Sequence, residues 1–206
     1  MIRIEVHGVD EITAKLARMP VELRDKVLQP ALNKVADKLR AEVVREIPRE
    51  FAVKQAEVRS AVDVRRARSG RLEAVVEIFG SARKRGRSLN LMHFLGALQA
   101  AGRTLKTRGT KASKADLAAL DRQLGFIIKK AGGIKKIEGA FIGNKGRTIF
   151  RRVGKGRLPI EPVQVIGFAQ MFKSRRIERK VMDKVRADLP VEVDRAVQML
   201  LARGLV

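Results

Sequence analysis

The chain has 206 residues, with 45 Lys and Arg against 22 Asp and Glu, and its net charge of +23 is tolerated most easily where an anionic partner neutralises it. With no Cys there is no disulfide scaffold, no Cys-ligated zinc and no thiol nucleophile, which fits a reducing cytoplasm, and with no Trp or Tyr a base-stacking reader of single strands is disfavoured. Apolar residues are 45% of the chain, enough for a packed core, but no apolar run approaches the roughly 18 residues of a membrane span and the start does not read as a signal peptide, so the expectation is one soluble, intracellular domain over residues 1–206.

Ile2, Ile4 and Val6 alternate with Arg3 and Glu5, the pattern of a short half-buried strand. Asp10 then reads as the N-cap of a short helix carrying Ile12, Leu16 and Met19. A longer helix is predicted from Pro20, with Leu28, Ala31, Leu32, Val35, Leu39, Val43 and Ile47 forming a stripe at helical period. Leu32, Val35 and Leu39 are its expected core. Pro30 is expected to kink or divide this helix and Pro48 to end it.

Residues 53–61 predict another short helix. A hairpin follows, with residues 62–68 and 71–78 as its strands, Ser69-Gly70 as its turn and Leu72, Ala74, Val76 and Ile78 as its dry face. Residues 81–88 read as a basic loop and residues 100–115 as the most mobile stretch, while Ser113 and Asp116 match a capping box before a helix with Leu117, Leu120 and Leu124. The apolar segment Leu89–Leu98 matches neither period. Together, residues 81–133 read as a basic, partly mobile insertion.

Two further strands, 134–142 and 147–153, are predicted to meet through the loop Gly143-Asn144-Lys145-Gly146. Leu158-Pro159-Ile160-Glu161-Pro162 must be extended. A helical region from about Ala169 uses Phe172, Ile177, Val181, Val185 and Leu189, restarts after Pro190 with Val193, Val197, Leu200 and Leu201, and ends at Gly204. The expected class is α+β, with N-terminal and C-terminal helices packed on a central antiparallel sheet.

Charge is unevenly distributed. Residues 1–80 hold 16 basic and 13 acidic side chains and residues 158–206 hold 9 and 6, but residues 81–157 hold 20 basic and 3 acidic, a net of +17. Solubility needs far less. Twelve side chains in three clusters are the candidates for contact with DNA or a protein partner: Arg83, Lys84, Arg85 and Arg87; Arg108 and Lys111; and Lys145, Arg147, Arg151, Arg152, Lys155 and Arg157. On loops and hairpin ends such residues suit phosphate contacts, which carry no sequence code; acidic protein surfaces would satisfy them equally.

The residues offer little for catalysis. His7 and His93 lie apart, without a metal-ligand pattern. No G-x-S-x-G occurs, Gly154-Lys155-Gly156-Arg157 lacks the Walker spacing, and Asp116, Asp121 and Glu138 are the only carboxylates in the basic region. The expectation is a non-enzymatic protein without metal or cofactor.

The order Ile4-Glu5-Val6-His7-Gly8-Val9, Ala31-Leu32-Asn33-Lys34-Val35-Ala36, Val64-Arg65-Arg66-Ala67, Leu91-Met92-His93-Phe94, Ala140-Phe141-Ile142, Ile149-Phe150-Arg151-Arg152 and Arg157-Leu158-Pro159-Ile160 resembles the minor tail protein Z family of tailed phages and prophages. The likeness spans about residues 2–170, with the Lys-rich residues 100–130 unmatched. It implies a tail-completion protein, assembled in the bacterial host cytoplasm and carried in the virion. On this resemblance the chain is expected at the head-proximal end of the tail, as a subunit of a homo-oligomeric ring around the DNA channel. Its partners would be other tail and neck proteins and the phosphate backbone of double-stranded DNA, with no membrane. Charge alone supports an alternative, a host protein that binds nucleic acid without sequence preference.

Overall fold

The computed structural model describes residues 2–4, 21–81, 88–94, 125–133, 135–144, 147–154 and 156–203. In chain order its elements are β1 (Ile2–Ile4), α1 (Val21–Glu50), α2 (Gln55–Ser60), β2 (Val62–Arg65), β3 (Val75–Ile78) and β4 (Ser88–Asn90). A 3-10 turn (Leu91–Phe94), β5 (Gly125–Phe126), β6 (Lys135–Lys136), β7 (Ala140–Gly143) and β8 (Thr148–Arg152) follow, then β9 (Ile160–Pro162), β10 (Gln164–Ile166), α3 (Phe168–Phe172) and α4 (Arg175–Ala202). The class is α+β, as the sequence predicts.

The frame is the pair α1 and α4. Ala31, Val35, Leu39, Val43 and Ile47 of α1 and Ile177, Val181, Val185, Leu189, Val193 and Leu200 of α4 are buried, which is the stripe read from the sequence; Leu32 lies at its edge, partly buried. Leu201, counted in that stripe, is instead 49% exposed, because it falls on the outer side of α4. Lys38 pairs with Glu192 at 2.7 Å and Glu46 with Lys180 at 2.9 Å. Residue numbers rise on one helix as they fall on the other, so the two run antiparallel.

Two proline readings, the stop at Pro48 and the restart after Pro190, are corrected, and Pro30 does not divide its helix. Pro30 and Pro48 both lie inside the continuous α1 and Pro190 inside the continuous α4. A proline inside a helix costs about 3 kcal/mol through its lost donor and its crowding of the preceding turn. The long buried seam between α1 and α4 offsets that local cost, since tertiary packing overrides propensity.

Among the described residues the strands form four small antiparallel ladders rather than one continuous sheet. β3 is central to the first, pairing with β1 (Ile2↔Ile78, Ile4↔Val76) and with β2 (Val62↔Ile78, Val64↔Val76), which includes the predicted hairpin. Its strand begins at Val75 instead of Arg71, and Val75, assigned to the wet face, is buried as well as Val76 and Ile78. Asn33 of α1 clips this hairpin: its Nδ2 donates to Ala67 O at 3.1 Å and its Oδ1 accepts from Ala67 N–H at 2.7 Å.

The described ends of the 81–133 stretch are knitted into the core. β4 pairs with β10, Leu89, Leu91, Phe94 and Phe126 are buried, and Ala52 N–H and Lys130 N–H bond to Ile128 O and Glu50 O at 2.9 and 2.8 Å. The predicted helices after Asp10 and Ser113, the first-turn role of Pro20, most of the basic loop 81–88 and the stop at Gly204 lie outside the described residues. Among the described residues no helix is long and apolar enough to cross a membrane.

Candidate interaction surface

Of the third predicted cluster, Arg151 and Arg152 lie in the sheet β7-β8-β9, and Arg147 and Arg157 lie just beyond the two ends of β8. β7 and β8 form the hairpin read from the sequence, with Phe141 opposite Phe150 and Gly143 opposite Thr148, but the predicted strand 134–142 is divided, since Lys135–Lys136 pairs with β5 and only Ala140–Gly143 joins β8. Asn144 opens the turn at φ 50°, a left-handed conformation that Asn tolerates. β9 adds along the other edge of β8, placing Phe150 opposite Pro162, Arg151 opposite Glu161 and Arg152 opposite Ile160.

Strand alternation divides this sheet into two faces. Ala140 and Ile149 are buried against the core, and Ile142 packs partly buried on the same side. The outer face carries Phe141, Gly143, Phe150, Arg152, Ile160 and Pro162. The Phe141 and Phe150 rings stack with centroids 6.0 Å apart, and the Arg152 guanidinium lies 5.1 Å from the Phe141 centroid. A Cβ on Gly143 would come within 2.8 and 2.9 Å of the Phe150 ring, so the missing side chain is what lets that ring lie across the strand. Beside this face Leu158 is 71%, Val153 43% and Ile160 39% exposed.

Asn90 fixes the sheet to the body. It accepts from Ile149 N–H and donates to Ile149 O and Val163 O, while Val163 N–H bonds to Ile149 O at 2.8 Å. No motif in the sequence announces this residue. The outer face is different: the alternation Thr148, Phe150, Arg152 is a readable signal that Phe150 and Arg152 share a side, which charge clustering alone does not reveal.

Of the predicted contact residues, Arg147, Arg151, Arg152 and Arg157 are described and all are exposed. Arg151 and Arg152 point to opposite faces of β8. Arg157 lies in the connection just beyond them, whereas Arg147 sits in the turn at the far end of the strand, on the order of 17 Å away by strand rise. Arg83, Lys84, Arg85, Arg87, Arg108, Lys111, Lys145 and Lys155 lie outside the described residues.

Charge compensation sets this sheet apart from a second arginine group on the β2-β3 hairpin. There Arg65 pairs with Glu77, Arg66 with Asp37 at 2.9 Å and Arg71 with Glu73 at 2.7 Å. Hydrogen bonding from Arg71, joined by the charge of Arg3, holds the Glu73 carboxyl below its ordinary range. On β7-β8-β9 the one ion pair among the described residues is Arg151 to Glu161 at 3.5 Å, with both side chains more than half exposed. His93 is partly buried with Nδ1 3.1 Å from Glu57 Oε2. Among the described residues no three of His, Asp and Glu come together as metal ligands would.

Compared with known families, the chain falls among the phage minor tail proteins. The family is prophage minor tail protein Z, whose model matches residues 6–205, and the chain belongs to it. The matched span runs through residues 100–130 and past residue 170, further than the motif order alone carried the likeness. No curated protein and no solved structure matches the chain. Membership makes it a phage tail component.

Proposed function

We propose that the chain is a tail-completion subunit at the head-proximal end of the tail, building a homo-oligomeric ring around the DNA channel and acting by binding rather than by catalysis. Family membership over residues 6–205 carries this reading. Its physical support is the +17 of residues 81–157, of which Arg147, Arg151, Arg152 and Arg157 are exposed with a single carboxylate paired to them among the described residues. Such side chains neutralise phosphate or a neighbour's carboxylates without reading bases. Tail and neck proteins are the partners, and assembly takes place in the host cytoplasm.

Deleting the gene from an inducible prophage tests the proposal. The expected result is loss of infectious, DNA-filled particles, with tails that do not join to filled heads under electron microscopy. Normal particle yield and infectivity from the deletion would overturn it.

A further inference from the structure

We propose that the outer face of the β7-β8-β9 sheet docks a protein whose contact surface has an apolar centre flanked by carboxylates. Register puts Phe141, Phe150 and Pro162 in one row across this face and Arg152 with Ile160 in the next. Leu158, Val153 and Ile160 add exposed apolar surface at the same end of the sheet. A flat aromatic pair, an arginine laid on it and aliphatic side chains around it is the composition that dominates binding energy at protein interfaces. The Arg152 guanidinium, stacked on Phe141, keeps its N–H edges free to grip a carboxylate in a two-pronged bond.

Charge decides what sits there. Arg152 and Arg157, at the same end of the sheet as the exposed apolar side chains, have no carboxylate partner among the described residues, so the occupant is anionic. Duplex DNA would satisfy the arginines, but its charged backbone offers Leu158, Val153 and Ile160 no apolar counterpart. A second copy brings another +23, which opposes the arginines as a whole. An acidic protein surface meets both requirements. The inference stands on this surface chemistry and does not need the tail-completion reading.

A photo-reactive benzoylphenylalanine at Leu158 of the full chain, in cells where the phage assembles, tests it. The expected adduct is with a different polypeptide whose cross-linked peptide carries Asp or Glu beside an apolar residue. Its yield should fall about tenfold with Arg152→Glu, the loss of one charge-assisted contact, and hold with Arg65→Glu on the compensated hairpin. Arg152→Gln, which keeps much of the side chain's bulk, should give a smaller loss, and cooperative thermal unfolding within a few degrees of the parent shows that these variants fold. An adduct with DNA or with a second copy, a peptide lacking carboxylates, no adduct, or a yield indifferent to Arg152 overturns the proposal. An acidic partner outside the tail and neck would keep this inference and sink the proposed function; a tail partner that docks without carboxylates would do the reverse.

Discussion

Asn90 grips both backbone groups of Ile149: its Nδ2 donates to Ile149 O at 3.2 Å and its Oδ1 accepts from Ile149 N–H at 3.0 Å. The same amide donates to Val163 O and accepts from Met92 N–H, each at 3.1 Å, so its whole hydrogen-bonding capacity is used. One side chain thus stands in for a strand between the 3-10 turn and β8. Asn90→Leu orphans the Ile149 and Met92 N–H groups, while Ile149 O and Val163 O keep the bonds from Val163 N–H and Leu91 N–H, and it should cost about 2–4 kcal/mol, at about 1 kcal/mol or more for each lost or unsatisfied bond. Asn90→Asp keeps the two acceptor bonds but cannot donate, and should fall between. Urea unfolding of the three proteins gives the order directly; a loss below about 0.5 kcal/mol for the leucine variant would show that water replaces the clasp.

Gly143 and Gly133 form a matched pair of tests. At Gly143 a Cβ strikes the Phe150 ring at 2.8 Å, whereas at Gly133 it meets nothing within 4 Å. Gly143→Ala should therefore push Phe150 off its stack with Phe141 and cost about 1–3 kcal/mol, the usual range for overpacking. Gly133→Ala should stay near neutral. Equal unfolding midpoints for the two variants would mean that the Phe150 ring moves aside freely.

The α1–α4 seam predicts how stability depends on pH. Burial would raise the Glu46 carboxyl, but Lys180 and Arg49 outweigh it and hold it below the ordinary range. The hydrogen bond from Lys38 does the same to Glu192, which is only 4% exposed, and the Glu192 bond in turn raises Lys38. Glutamates with lowered folded values stabilise fully above the unfolded value of about 4.3 and lose that contribution as pH falls through the folded one. A raised lysine stabilises below about 10.4 and loses its contribution as pH climbs through its folded value. Stability should be flat near neutrality and fall at both ends. Lys38→Met should weaken the fold at pH 7 by leaving buried Glu192 with Arg195 alone, and adding Glu192→Leu should recover most of the loss, since apolar replacement of a buried pair is often neutral and the exposed Arg195 is left in water. Denaturation midpoints across pH measure both effects; a double variant no better than the single would show that the pair is not coupled.

What could be read from the sequence was what rests on periodicity. The α1 and α4 stripes, the β2-β3 pairing and the β7-β8 hairpin each follow from one residue type recurring at 3.6 or 2. What could not be read is set by partners distant in the chain. Prolines 30, 48 and 190 break rules of local propensity, and only the packing of α1 on α4 keeps their helices continuous. Asn33 and Asn90 are ordinary polar residues until Ala67 and Ile149 arrive beside them. The arginine runs were visible, but their compensation was not: Arg66 finds Asp37 across 29 positions, while Arg152 finds an aromatic ring instead of a carboxylate.

That difference makes the pair Arg151 and Arg152 the sharpest separation of function from stability. The Arg151–Glu161 pair is exposed on both sides and contributes at most about 1 kcal/mol. Arg152 over Phe141 adds about 0.5–1 kcal/mol at an exposed site. Arg151→Glu combined with Arg152→Glu should therefore fold with a loss within about 2 kcal/mol, yet replace two positive charges on the sheet with two negative ones. Complementing a prophage deletion with the double variant should give no infectious particles although the protein accumulates at parental level. A far larger fall in unfolding midpoint would mean that the two arginines hold the sheet together, and undiminished infectivity would mean that this sheet meets no anionic partner.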